Sequence, residues 1–293
     1  MTDTFVEAEL ASQPSTWREV AALAPSFADA LPKKGERVAV VGCGTSWFIA
    51  MTYAVLREQG GHGLTDAFAG SEYPVGREYD RVVAISRSGT TTEIISLLAE
   101  LGDAETVLIT AVADSPATVD ATHVVALPFA DEQSVVQTRF ATTALSLLRA
   151  NLGHDIESLA VEAERALEIP IDDLLDAEQV TFVGRGPAVG LTFEAALKTR
   201  EAAQFWAESY PAMDYRHGPI AIAQPGRLVW SLGQAPEGLV DEVAATGATF
   251  VQHDLDPQAG LVVVHRFAVA KALSLGLDPD HPRSLTRSVI LTP

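Results

Sequence analysis

Apolar and polar positions along the chain fall into blocks whose lengths predict helices and strands in turn. Trp17, Val20, Leu23, Ala24 and Phe27 recur at helical spacing within an N-terminal helical segment, residues 1–35. Beyond it, apolar runs of strand length alternate with longer helical stretches. Val38–Gly42 predicts a buried strand, followed by Gly44-Thr45-Ser46 and a helix to about Gln59. Further strands are expected at Ala67–Ala69, Arg81–Ser86, Glu105–Ala111 and His123–Leu127, with helices ending near Leu101 and running from near Val135 to about Asn151. Residues 153–178 read as a charged helical connector broken at Ile169-Pro170. The pattern then restarts with a strand at Gln179–Val183, the loop Gly184-Arg185-Gly186 and a long helix Pro187–Gln204. Strands at Arg227–Leu232 and Thr249–His253, a helix Gln258–Gly276 and a tail Leu277–Pro293 complete the chain. Continuous apolar strands separated by helices imply α/β architecture with parallel sheets covered on both faces. The expected units are residues 36–152 and, after the connector, 179–293.

The two halves resemble each other. Val38–Ser46 (VAVVGCGTS) and Val180–Ala188 (VTFVGRGPA) both read as strand, Gly-x-Gly, helix. Neither completes Gly-x-Gly-x-x-Gly, because Trp47 and Val189 stand at the last position, and a nicotinamide site is disfavoured. The run from Val82 to Glu93 is the most informative. A β-branched strand ends abruptly in Ser86-Arg87-Ser88-Gly89-Thr90-Thr91, and an apolar helix pattern (Ile94, Ile95, Leu97, Leu98, Leu101) follows. Hydroxyls, a glycine and unpaired helix N–H groups at a strand's carboxyl end suit an anion, most often a phosphate. The hydroxyls of Thr90–Thr92 also fit a plain helix cap.

Composition narrows the class. Hydrophobic residues make up 47% of the 293, enough for a sizeable core. The net charge of −19 argues against a nucleic-acid partner, while leaving room for an anionic substrate in a locally cationic pocket. One cysteine, Cys43, excludes an intrachain disulfide and a thiolate zinc cluster. The remaining histidines lack metal-binding spacing, so no metal and no cofactor is expected. The acidic start without an apolar signal region, and the absence of any apolar run of about 18 residues, point to a cytoplasmic protein with no membrane partner.

One constellation carries chemistry. Glu194, Lys198 and Glu201 fall on one helix face. They form either a solvated, ion-paired face or, given neighbours Ala195, Ala196, Leu197, Ala202 and Ala203, a polar row on a buried helix. Tyr215-Arg216-His217-Gly218-Pro219 sets an imidazole on a fixed turn. A carboxylate, an ammonium and an imidazole with a phosphate cradle are the parts for moving a proton between adjacent sugar carbons. The carboxylate takes the proton beside the carbonyl, the ammonium neutralises the enediolate, and the imidazole opens the ring.

With these residues in view, the chain resembles the SIS (sugar-isomerase) domain family, specifically the isomerase half of glutamine–fructose-6-phosphate aminotransferase. The resemblance spans nearly the whole chain. It rests on Glu9-Leu10 through Gln13-Pro14, Gly42-Cys43-Gly44-Thr45-Ser46, Ser86 through Thr91, Glu132 through Thr138, Glu194-Ala195-Ala196-Leu197-Lys198 with Glu201, His217-Gly218-Pro219 and Pro282-Arg283-Ser284-Leu285. It implies two tandem SIS domains, each a doubly wound, flavodoxin-like parallel sheet between helices. It implies that Gly44, Thr45, Ser46, Ser86, Ser88 and Thr91 hold a sugar phosphate and that Glu201 moves the C1–C2 proton. It also implies that His217, donated by the other subunit of a homodimer with shared active sites, opens the ring, with Glu194 and Lys198 in support.

Departures from the family pattern qualify this. Met1-Thr2 offers no N-terminal cysteine nucleophile, so no glutaminase activity is expected. The family's Schiff-base lysine falls on Arg287, whose guanidinium stays protonated and cannot form an imine. Arg87 replaces a Gln of the phosphate loop and either adds a phosphate contact or points to solvent. Gln137 replaces a small hydroxyl residue and reshapes the sugar pocket. The expected function is a cofactor-free aldose–ketose isomerase, deaminase or deglycase acting on an amino-sugar or fructosamine phosphate. The alternative is a non-catalytic, sugar-phosphate-binding regulator.

Overall fold

The computed structural model describes residues 4–291. In chain order the regular elements among them are α1 (Phe5–Ala11), α2 (Gln13–Leu23), β1 (Val38–Gly42), α3 (Thr45–Gln59), β2 (Thr65–Ala69), β3 (Arg81–Ile85), α4 (Thr92–Leu101), β4 (Thr106–Thr110), β5 (His123–Ala126), α5 (Arg139–Asn151), α6 (Ile156–Glu168), β6 (Gln179–Gly184), α7 (Ala188–Ala203), β7 (Ala207–Pro211), β8 (Arg227–Leu232), α8 (Leu239–Ala245), β9 (Thr249–Gln252) and α9 (Pro257–Ser274). They form two compact units. One contains residues 15–133 and 137–157 with the tail from Thr286. The other contains the chain up to Pro14, residues 134–136 and residues 158–285. The expected connector is thus shared out between the units, and the tail leaves the second unit after Leu285.

The first unit is a five-stranded parallel sheet in the order β2-β1-β3-β4-β5. Every residue of β1, β3 and β4 is buried, which is why these strands read as continuous apolar runs rather than alternating ones. Ala39, Val41, Val82, Ala84 and Leu108 form one core face with Ile94, Leu97 and Leu98 of α4. Val40 and Val83, on the opposite face of the same strands, are equally buried. The turn out of β1 is tight: a Cβ on Gly42 would lie 2.5 Å from the backbone of Ser46.

The second unit is a four-stranded parallel sheet in the order β7-β6-β8-β9. This repeats the order of the first four strands of the other sheet, so the likeness of the two Gly-x-Gly segments extends to topology. Val183 and Val229 pack with Tyr215, Leu239 and Val243 on one face. Helices α7 and α9 pack against each other, and α9 is apolar on nearly all sides because it is buried along most of its length. Asp256 caps α9 by accepting from the Gln258 N–H at 2.9 Å, with Pro257 at its first position. Asp280 accepts from the Phe5 and Val6 N–H groups, 2.8 Å each, at the start of α1.

Four expectations need correction. The N-terminal helical segment is two helices and a short 3-10 turn that ends at Phe27. Helix α5 starts at Arg139, not near Val135, because the Glu132 carboxylate accepts from the Thr138 and Arg139 N–H groups at 2.6 and 2.7 Å and fixes the helix start there. Strand β7 went unread: its sequence, AESYP, has no apolar run, as suits an edge strand paired on one side only. Helix α8 also went unread, being only seven residues long. Among the described residues no helix is long and apolar enough to cross a membrane.

Two measurements test the second unit. Asp280→Ala leaves two helix-start N–H groups without their acceptor and should lower unfolding free energy by about 1–3 kcal/mol; urea unfolding would register this. The second concerns His265 on α9, which is 1% exposed. Burial, aided by the Lys198 charge, pushes its pKa down from 6.5 to about 3. Below pH 6.5 the unfolded chain therefore binds a proton here that the folded chain does not. Stability should fall as pH drops from 6.5 toward 3, by up to about 1.4 kcal/mol per pH unit. In His265→Gln the urea midpoint should depend less steeply on pH across that window; an unchanged slope would contradict the assignment.

Candidate active site

In the first unit, strand order reverses between β1 and β3. β1 leads outward to β2, while β3 continues to β4 on the other side. Ligands of open α/β sheets bind at the carboxyl ends of strands at such a point. Two loops meet there, because Gly42 and Ile85, the last residues of β1 and β3, are register partners. The first loop brings Gly44, at φ 53, and the buried Thr45 and Ser46 at the start of α3. The second brings Ser86, Ser88 and Thr91 ahead of α4.

The second loop is organised by its own backbone. The Gly89 N–H donates to Ser86 Oγ at 3.2 Å, and the Thr90 N–H and hydroxyl donate to Ser88 Oγ at 3.2 and 2.9 Å. Ser86 Oγ also lies 3.5 Å from Thr91 Oγ1. Acting as an acceptor inside the loop, Ser88 keeps its own O–H group for an outside acceptor. Gly89 has φ +61, and a Cβ there would come within 1.9 Å of Ser115 Oγ. That hydroxyl is itself buried without a hydrogen-bond partner among the described residues.

Arg87 does not point to solvent. It is 5% exposed, with Nη1 3.6 Å from Glu132 Oε2 and Nη2 donating to the Arg287 carbonyl at 3.2 Å. It therefore points away from solvent, toward Glu132 and the tail. Arg287 donates to the Glu132 carbonyl and pairs with the Asp131 carboxylate. The tail then runs along the loop. Ser288 Oγ lies 2.8 Å from Thr90 Oγ1, the Val289 carbonyl accepts from the Thr92 N–H at 3.2 Å, and the Leu291 N–H donates to Thr92 Oγ1 at 2.9 Å. Nothing in the spacing of the tail announces this docking. Gln137 is half-buried, and its Nε2 is buried without a partner among the described residues, as suits a polar group facing a ligand space.

In the second unit the row on α7 is a buried one. Glu194 is fully buried, Lys198 is 1% exposed, and the Glu201 side chain keeps 19% exposure. Lys198 Nζ pairs with Glu201 Oε2 and lies 3.8 Å from Glu194 Oε1. The ammonium thus orients the Glu201 carboxylate, which opens onto a pocket of about 540 Å³. Arg200, Gln204, Phe205, Trp206 and the Arg283–Leu285 segment complete the lining. His217 does not line that pocket. It sits exposed at the end of a short 3-10 turn, Asp214–His217, before Gly218 at φ 133. Among the described residues no group of three or more His, Cys, Asp or Glu side chains is placed to hold a metal ion.

Residues 31–152 match the family described as SIS domain. The chain is 27% identical over 296 residues to the glutamine–fructose-6-phosphate aminotransferase [isomerizing] of Sulfurisphaera tokodaii, covering 88% of this chain and 50% of that protein. It is 29% identical over 345 residues to the one of Methanothermobacter thermautotrophicus, covering 98% and 57%. The chain thus spans about half the length of the curated relatives it matches. Among solved structures, glucosamine-6-phosphate deaminase from Thermotoga maritima superposes with a TM-score of 0.83 at 24% identity, covering 98% of this chain and 100% of that one. The C-terminal domain of glucosamine-fructose-6-phosphate aminotransferase from Francisella tularensis gives 0.81 at 20% identity, covering 96% and 98%. These structures share the fold. The family match itself makes residues 31–152 an SIS domain.

Proposed function

We propose that the protein is a cofactor-free phosphosugar isomerase, deaminase or deglycase acting on an amino-sugar or fructosamine phosphate. In this reading the second unit is also an SIS domain, and the protein works as a homodimer in the cytoplasm. The observation that carries the reading is Glu201: a carboxylate oriented by a buried lysine on a buried helix, with its free side open to a pocket. A protein that only binds a sugar phosphate has little need of such a group.

The first unit's loops supply anion binding. Thr45, Ser46, Ser86, Ser88 and Thr91 offer hydroxyls, with backbone N–H groups at the starts of α3 and α4. Glu201 supplies proton transfer. In a fructosamine phosphate it takes a proton from C1, leaving a C1–C2 enaminol, and returns a proton to C2. The product is an imine at C1, which water hydrolyses to an aldose phosphate and the free amine. The nitrogen comes with the substrate, so no enzyme lysine is consumed, in keeping with Arg287 at the tail. Glu194 and Lys198 hold Glu201 in place. His217, exposed in one subunit, is assigned to ring opening in the partner's site.

Solvent deuterium exchange at C1 or C2 of fructose 6-phosphate, glucosamine 6-phosphate and fructosamine 6-phosphates tests the reading. Glu201→Gln should slow exchange by about 10²–10⁴-fold while phosphate-ester binding persists. Exchange that survives the substitution unchanged would remove Glu201 from its role, and tight binding without any exchange would favour a sensor. Gly89→Ala forces a Cβ onto Ser115 at a left-handed position, a strain of about 1–2 kcal/mol before the clash is counted. It should weaken binding of sugar phosphates and inorganic phosphate alike, as read by calorimetry.

A further inference from the structure

The second unit holds a cleft that the chemistry at Glu201 does not use. It lies between α1, the end of α6 and α9, and encloses about 650 Å³, room for a whole small molecule. No residue of α7 lines it. Its floor is apolar and buried, with Leu10, Ile171 and Val269 only 4%, 7% and 4% exposed. Protein interiors are close-packed, so a void of this size over buried side chains needs a physical account. α9 supplies part of it. Apolar on nearly all sides, it packs along α7, while at this cleft it faces the seven-residue α1 and the end of α6, which leave a gap between them.

The rim supplies a second, independent observation, because its charges are unequal. Glu7 on α1 and Glu168 at the end of α6 both line the cleft and both are exposed. Glu7 Oε2 accepts from the Thr4 N–H and hydroxyl at 3.1 and 2.8 Å, which leaves its second oxygen without a hydrogen bond among the described residues. The lining contains a single cation, Arg266. That guanidinium is committed elsewhere. Its Nη1 donates to the Ala166 and Ile169 carbonyls at 3.0 and 2.5 Å and so closes the carboxyl end of α6. The Glu168 and Asp172 carboxylates also act on its charge. The cleft therefore joins an apolar floor to a rim with negative charge in excess.

We propose that this cleft binds a small amphipathic amine, with its ammonium at the rim carboxylates of Glu7 and Glu168 and its alkyl stem over Leu10, Ile171 and Val269. The stem removes apolar surface from water, and the ammonium supplies the positive charge that the rim lacks. A carboxylate on the same stem meets two like charges and a guanidinium already bound to backbone carbonyls. An alcohol gains the burial without the charge. The site stands apart from Glu201 and depends on no reading of the reaction there.

Three probes of one length separate stem from charge: hexylamine, hexanol and hexanoate. By titration calorimetry on the full chain at neutral pH and low salt, hexylamine should bind about fivefold more tightly than hexanol, and hexanoate more weakly than either. Glu7→Gln combined with Glu168→Gln should bring the amine-to-alcohol ratio close to one while hexanol binding stays as it was. Both positions are exposed, and glutamine keeps the capping box at Glu7, so the fold is retained. Ala270→Phe puts a ring into the cleft from α9 and should abolish binding of amine and alcohol together. Equal affinities for hexylamine and hexanol in the native protein would overturn the proposal. So would an amine preference that survives the double substitution, since it would then belong to the acidic surface at large. The double substitution decides the matter by itself where Ala270→Phe disturbs α9.

Discussion

The organisation of the hydroxyl loop in the first unit depends on one buried carboxylate. Glu132 accepts from the N–H groups of Thr138, Arg139 and Phe140 and so starts α5, while it faces the buried guanidinium of Arg87 inside that loop. Its own carbonyl holds Arg287, which brings the tail to the loop. Loop, helix and tail thus share a single anchor. Buried charge pairs of this kind contribute little net stability compared with an apolar replacement, but losing one partner costs about 3–5 kcal/mol. Their effect is to select one arrangement. A neutral residue at Glu132 would leave Arg87 buried without its carboxylate and leave the start of α5 without its acceptor, so the loop hydroxyls would lose a fixed geometry along with the helix.

This anchor explains what could and could not be read beforehand. The strands of both sheets were legible because parallel strands buried on both faces have to be apolar throughout, as β1, β3 and β4 are. The hydroxyl loop was legible because a strand-to-helix turn at a sheet's carboxyl edge needs glycine and small polar residues. β7 was not, since an edge strand is free to carry Glu208, Ser209 and Pro211. The partners of Arg87 were not legible for a different reason. Its neighbours in sequence suggest a phosphate ligand, but its partners, Glu132 and the Arg287 carbonyl, lie far away in the chain. Local pattern reports the backbone's course, whereas the destination of a long charged side chain is a tertiary fact.

The polar row on α7 shows the same distinction from the other side. The spacing of Glu194, Lys198 and Glu201 was equally compatible with a solvated helix face, and the alanines around it tipped the balance. The structure shows why they matter: small neighbours let α7 lie close to α9, and only Glu201 at the end of the row keeps appreciable exposure. A charged triplet on a surface would be worth a few tenths of a kcal/mol per pair. Two buried groups aligned to present one carboxylate are instead a positioning device.

Arg287 can be understood in these terms. A lysine at that position would offer a flexible ammonium with a nucleophilic free-base form. The guanidinium present here has a planar fork and no accessible neutral form, and it divides that fork between the Glu132 carbonyl and the Asp131 carboxylate. It cannot attack a carbonyl, but it holds the tail in place with a directionality that an ammonium lacks. The role of Arg287 is therefore architectural: it fixes the tail against the segment that starts α5.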